Sequence, residues 1–96
     1  MDVYEHIASL RPGQSIFCDL HETLYDRGSN KINTPLIDAL RAAKKRGIAL
    51  CLWTGGTFEE TVHGVELMKQ YNLHFDDVFC NVLKADLFID NKAVAP

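Results

Sequence analysis

Two apolar runs that each end abruptly in a carboxylate are the strongest constraint on how this chain folds. The first run, residues 15–18, leads into Asp19, and the second, residues 85–89, leads into Asp90. Helical patterns lie between the apolar runs, which predicts parallel strands joined by right-handed crossovers. The carboxyl ends of parallel strands meet at one edge of a sheet, where open α/β folds bind ligands. We therefore expect both carboxylates at that edge.

The pattern along the chain predicts a short N-terminal helix followed by the order β-α-β-α-β-β. The predicted strands cover residues 15–20, 48–53, 78–80 and 85–89. Thr34 as N-cap with Pro35 in the first turn predicts the start of one helix, and Gly47 predicts its end. The next helix is predicted from a capping box formed by Thr57 and Glu60.

The predicted helix that begins at Thr57 has an apolar stripe at helical spacing. The stripe consists of Phe58, Val62, Val65 and Met68. Side chains three or four residues apart share one face of a helix, so this stripe is the predicted core face.

Composition narrows the class of protein. The 96 residues suit one domain, and a formal net charge of -3 argues against non-specific binding to nucleic acid. The sequence has no run of about 18 apolar residues, so we expect no membrane span. The acidic N-terminus lacks the apolar stretch of a signal peptide. Three cysteines without a pairing motif favour a reducing compartment, so we expect a cytoplasmic protein.

Asp19 is the strongest candidate for a nucleophile. A carboxylate can form a covalent acyl-phosphate, which divides one difficult displacement into two steps. It needs a cation nearby because a carboxylate and a phosphate dianion repel each other. Mg²⁺ prefers oxygen ligands and keeps several waters, so Asp19, Asp90 and one backbone carbonyl would suffice. Cys18 precedes Asp19, and alternation along a strand directs its side chain into the core.

Groups that could hold phosphate oxygens follow the second strand. The Thr54 hydroxyl and the backbone N–H groups of Gly55 and Gly56 precede a helix N-terminus, which favours an anion. Lys84 lies before the last strand and could neutralise phosphate charge. Arg27, in the loop after the first strand, either contacts the substrate or is solvated.

These stretches resemble the four motifs of the haloacid dehalogenase-like (HAD) superfamily, whose members are mostly phosphohydrolases. Residues 19–24 read DLHETL, which is similar to its Asp-x-Asp-x-Thr motif. The strand ending in Thr54 resembles the second motif, Lys84 the third, and Asp90 with Asn91 the acidic pair of the fourth. The resemblance covers residues 14–93 and all four motifs occur in order.

The resemblance implies a minimal Rossmann-like, three-layer α/β fold with a mainly parallel sheet of about four strands and no large cap. The domain would comprise an N-terminal helical segment over residues 1–14 and a core over residues 15–93.

The resemblance also implies the chemistry. It implies Mg²⁺-dependent hydrolysis of a phosphate monoester through an aspartyl-phosphate on Asp19. The implied metal ligands are Asp19, the His21 carbonyl, Asp90 and Asn91. Thr54 and Lys84 would position the phosphoryl group, since phosphoryl transfer is mostly positioning and electrostatics. The substrate would be a phosphorylated small molecule or macromolecule.

Departures from the family pattern leave alternatives open. His21 occupies the position of the usual acid/base Asp; imidazole can donate and accept a proton near neutral pH. Alternatively, His21 only caps the loop, and the protein is a catalytically inactive binding or regulatory module. Asn91 replaces an acid, which should lower metal affinity. A hydrolase acting on a C–P or C–halogen bond is a third reading. An exposed edge at residues 85–89 would allow a homodimer.

Overall fold

The computed structural model describes residues 2–80, which form three helices and three strands. In chain order these are α1 (Val3–Ser9), β1 (Ser15–Cys18), α2 (Thr34–Lys45), β2 (Ala49–Trp53), α3 (Phe58–Lys69) and β3 (Asp77–Phe79). The strands pair in parallel in the order β1-β2-β3. The α/β class and the parallel sheet are confirmed, and the predicted strand over residues 85–89 lies outside the described residues.

Local signals fix the helix ends. Asn33, one residue before the predicted N-cap, caps α2, and its side chain accepts a hydrogen bond from Leu36 N at 3.3 Å. Gly47 has φ 90°, the left-handed conformation expected after a helix. The capping box of Thr57 and Glu60 is confirmed at the start of α3. No helix among residues 2–80 has the length and apolar character to cross a membrane.

The core lies on one face of the sheet. Buried side chains of α2 (Ile37 and Leu40) and of α3 (Met68) belong to one core cluster with Leu50 and Leu52 of β2, so both helices lie on the same side of the sheet. Alternation along the strands directs one set of side chains towards these helices. The buried core includes Ile7, Cys18, Leu20, Leu24, Ile37, Leu40, Leu50, Leu52, Met68 and Leu73.

The opposite face of the sheet carries exposed aromatic side chains. Phe17, Trp53 and Phe79 are 60%, 38% and 40% exposed. Their rings contact one another, with centroids 5.7 to 6.5 Å apart. Residues 2–80 therefore form two layers of the three expected from the resemblance, because no described helix packs over these rings.

The buried face of α3 differs from the predicted stripe. Met68 is fully buried and Val65 is partly buried against the core, as the stripe predicts. Phe58 and Val62, in contrast, are 67% and 44% exposed. The helix instead buries Thr61 and Gly64. Since glycine has no side chain, this face of α3 can approach the sheet closely, which turns the larger apolar residues outward.

Asp76 fixes the start of β3 beside β2. Its backbone N–H donates to Leu50 O at 2.7 Å, and its carboxylate accepts from Leu50 N at 2.7 Å. Lys44 Nζ lies 3.3 Å from the same carboxylate and donates to the carbonyl of His74. These bonds hold the pKa of Asp76 below its ordinary value, first through the Leu50 amide and then through Lys44.

Candidate functional site

A polar cavity of about 410 Å³ lies where β1 and β2 end. Nine residues line it: Asp19, His21, Glu22, Thr23, Arg27, Thr54, Gly55, Gly56 and Glu60. Every candidate site residue from the sequence that falls within residues 2–80 is among them. Lys84, Asp90 and Asn91, also predicted for this site, lie outside the described residues.

Asp19 follows the last residue of β1 and is exposed. Its Oδ1 accepts a hydrogen bond from Leu20 N at 2.8 Å. The Leu20 side chain is fully buried, and its carbonyl accepts Leu24 N at 2.9 Å, which closes a tight turn. A buried anchor next to an exposed carboxylate fixes the position of Asp19 at the cavity.

Thr54 follows the last residue of β2 and is almost completely buried, at 1% exposure. Its backbone N–H donates to Phe79 O at 2.9 Å, which holds it at the end of the sheet. Its hydroxyl oxygen accepts the Gly56 amide at 3.1 Å. The Gly56 amide is therefore directed at Thr54, whereas the Thr54 hydroxyl keeps its own hydrogen to donate to an acceptor in the cavity.

His21 packs against the loop that follows β2. A Cβ on Gly56 would lie 2.8 Å from His21 Cε1, so a larger residue at this position would have to displace the ring. On its other side the ring meets Tyr25 edge-on, with centroids 5.5 Å apart. His21 Nε2 is buried and has no hydrogen-bond partner within residues 2–80. A buried nitrogen without a partner is destabilising by about 1–3 kcal/mol.

Arg27 lies between two carboxylates. Its Nη2 is 2.7 Å from Glu22 Oε1, and its Nη1 is 2.9 Å from Glu60 Oε2. Hydrogen bonds from Arg27 hold the pKa of Glu22 below its usual range. The pKa of Glu60 is also lowered, first by the backbone N–H of Thr57 and then by Arg27. The guanidinium that the sequence suggested for substrate contact is thus paired within the protein.

Glu22, Thr23 and Glu60 line the cavity without having been predicted as site residues. Thr23 stands at the Thr position of the first motif, so the motif itself was an available signal. Glu60 was recognised as a capping residue, and its position in the first turn of a helix that starts at the site was a second signal. Glu22 depends on a left-handed backbone with φ 59°, which nothing in the sequence indicates.

Among the described residues, the cavity offers a hard cation one carboxylate that is not paired with Arg27, that of Asp19. Carboxylate oxygens are the ligands that Mg²⁺ prefers, and Asp19 brings one to the cavity wall. Glu22 and Glu60 are committed to Arg27. Within residues 2–80 there is no group of three or more His, Cys, Asp or Glu side chains suited to a metal ion. Asp19 and the His21 carbonyl are the part of the predicted ligand set that the structure describes.

Cys18 is not placed to act as a nucleophile. Its side chain is buried in the core, on the helix-covered face of the sheet. Burial, with a smaller contribution from the nearby Asp19 charge, raises the pKa of its thiol to about 11. The thiol is therefore protonated at neutral pH, and the thiolate is the nucleophilic form.

Fold and site together define an α/β protein with a parallel sheet and a polar cavity at the carboxyl ends of its first two strands. No protein-family model, curated protein or solved structure matches this chain.

Proposed function

We propose that this protein is a Mg²⁺-dependent phosphohydrolase that cleaves phosphate monoesters at Asp19. The observation that carries the proposal is that the Asp19 carboxylate and the Thr54 hydroxyl line one polar cavity at the ends of neighbouring parallel strands. A carboxylate supplies a nucleophile and a cation ligand, and a buried hydroxyl supplies a hydrogen-bond donor for a phosphoryl oxygen.

The proposed reaction has two steps. An Asp19 oxygen forms a bond to phosphorus while the bond from phosphorus to the leaving oxygen breaks, and that oxygen takes a proton. Water then attacks phosphorus, releases inorganic phosphate and regenerates the carboxylate, giving up one proton. Bound Mg²⁺, held by Asp19 and the His21 carbonyl with Asp90 and Asn91, would supply charge neutralisation between the carboxylate and the phosphoryl group.

His21 is the proposed proton carrier for both steps. Since His21 Nε2 is buried, Nδ1 is the ring nitrogen to which we assign proton transfer. Its contact with Gly56 and Tyr25 limits how far the ring can turn. Lys84 is proposed to join Thr54 in positioning the phosphoryl group.

A catalytically inactive binding module is the second candidate. Two observations favour it: the buried Nε2 of His21 and the pairing of Arg27 with two carboxylates. The His21 nitrogen is buried and the Arg27 guanidinium is paired inside the protein, so neither group is directed at a ligand. Such a module would keep the cavity and its affinity for a cation-bound phosphate, without turnover.

Hydrolysis of an aryl phosphate by wild type and Asp19→Asn, each with Mg²⁺ and with EDTA, tests the proposal. We expect turnover that requires both Mg²⁺ and Asp19. The matched control is Asp26→Asn, which removes a carboxylate from the neighbouring loop at a position outside the cavity lining. Equal background rates in all samples would refute the phosphohydrolase.

His21→Asp distinguishes the two candidates further. Aspartate restores the acid/base group that the family pattern has at this position. A large gain in turnover would identify a site that lacks one group. Unchanged background would favour the binding module.

A further inference from the structure

Arg27 forms an ion-pair cluster with Glu22 and Glu60 at the cavity wall. Arg27 Nη2 and Nε contact Glu22, at 2.7 Å and 3.2 Å, and Nη1 contacts Glu60 at 2.9 Å. The three residues come from two separate parts of the chain, the loop after β1 and the first turn of α3. We call this group the Arg27 cluster (Glu22, Arg27 and Glu60).

Glu22 adopts an unusual backbone conformation within this cluster. Its φ is 59°, in the left-handed region that glycine takes without strain and that a side chain disfavours. Its backbone N–H donates to Tyr25 O at 2.7 Å, and its carboxylate also accepts the backbone N–H of Arg27 at 3.2 Å. Unlike glycine, glutamate at this position forms hydrogen bonds with Arg27, and these bonds offset the backbone strain.

The Arg27 cluster sets the charge of the cavity. Among the described residues that line it, the carboxylates are Asp19, Glu22 and Glu60, and Arg27 is the one with a permanent positive charge. With three carboxylates against one guanidinium, the formal charge of this lining is negative. Because both Glu22 and Glu60 bind Arg27, a free anion meets a guanidinium that is already neutralised, beside the negative charge of Asp19.

We infer that Glu22 and Glu60 are specificity-determining residues that keep Arg27 from binding a free phosphate anion, so that the cavity accepts a phosphoryl group only together with a divalent cation. This inference rests on the proposed function, because it concerns how the same cavity selects its ligand. On this inference Arg27 does not bind the substrate directly, because Glu22 and Glu60 occupy its guanidinium.

The test measures binding of inorganic phosphate by isothermal titration calorimetry, first in EDTA and then with Mg²⁺. In EDTA, we expect Glu60→Gln to bind phosphate more tightly than wild type, by up to about fivefold, because one charge competing for the solvent-exposed Arg27 is gone. Glutamine also serves in a capping box, so the start of α3 is retained. Glu22→Gln is a second variant, with the same expected direction.

Glu59→Gln is the matched control. It makes the same charge change one residue away, at an exposed position of α3 outside the cavity lining. We expect it to leave phosphate affinity unchanged. Adding Arg27→Gln to Glu60→Gln should abolish the gain, which assigns the gain to the guanidinium.

Three results would overturn the inference: equal gains from Glu60→Gln and Glu59→Gln, wild-type binding in EDTA as tight as with Mg²⁺, or no gain in either cluster variant. Aryl phosphate turnover tests the proposed function separately from phosphate binding. A gain in phosphate affinity without aryl phosphate turnover supports the inference and rejects the phosphohydrolase. Turnover combined with metal-independent phosphate binding by wild type supports the enzyme and rejects the inference.

Discussion

Gly64→Ala tests whether close packing beneath the site sets the orientation of α3. A Cβ at position 64 would lie 2.4 Å from Leu20 Cδ2 and 3.1 Å from Leu20 Cδ1. Leu20 is fully buried, so its side chain cannot move into solvent. Overpacking of this kind is destabilising by about 1–3 kcal/mol. Alanine in a helix interior is favoured over glycine by about 1 kcal/mol, which opposes that effect.

The net expectation for Gly64→Ala is a loss of up to about 2 kcal/mol in the free energy of unfolding. Urea denaturation followed by far-UV circular dichroism measures it. The intrinsic difference between alanine and glycine in this helix comes from His63→Ala and His63→Gly, at an exposed neighbouring position. Subtracting that difference isolates the packing contribution.

A double-mutant cycle with Leu20→Val identifies the clash as the cause. Valine has no δ carbon, so the atom that a Cβ at Gly64 would meet at 2.4 Å is removed. In this background we expect Gly64→Ala to become neutral or stabilising, a coupling of about 1 kcal/mol or more. Equal destabilisation in both backgrounds would refute the reasoning.

Two further predictions concern the sheet and the site. Asp76→Ala should lower the free energy of unfolding, because Leu50 N loses its charged acceptor. The loss should be limited to about 1 kcal/mol, because the half-exposed carboxylate is partly screened by solvent. The folded-state pKa of Asp76 lies below its ordinary value of 3.8. The contribution of Asp76 to the free energy of unfolding is therefore fully present above about pH 3.8, and it is lost as the pH falls through the folded-state pKa. Acid titrations of stability should therefore separate wild type from Asp76→Ala at neutral pH and converge in strong acid. Gly56→Ala should displace the His21 ring, since a Cβ would lie 2.8 Å from Cε1; an unchanged His21 Cε1–H resonance in NMR spectra would contradict this.

Features that depend on neighbours in sequence were predictable. Thr57 and Glu60 form a capping box from a spacing of three residues, and Gly47 ends α2 for a local conformational reason. The predicted N-cap of α2, Thr34, was wrong by one residue, and Asn33 caps the helix. Both side chains can accept an amide hydrogen bond, and the path of the chain decides between them.

Features that depend on tertiary packing were not predictable. Periodicity places Phe58 and Val62 on an apolar face of α3, but it cannot show that Gly64 allows a closer approach on another face. For the site, the ends of the strands brought Asp19 and Thr54 into one cavity, as the alternation of strands and helices indicated. The pair of Arg27 with Glu60 could not be read from the sequence, because the two residues are 33 positions apart.

The core and the site share one backbone segment, so neither can change independently. Leu20 is fully buried, and its amide holds the Asp19 carboxylate. Any shift of Leu20 that relieves a contact with α3 therefore moves the carboxylate proposed to attack phosphorus. His21, on the other side of Leu20, is fixed in turn by the close approach of Gly56. Stability and activity should consequently respond together to substitutions beneath the cavity, whereas Glu60→Gln, at the exposed wall, should change ligand selection with little effect on folding.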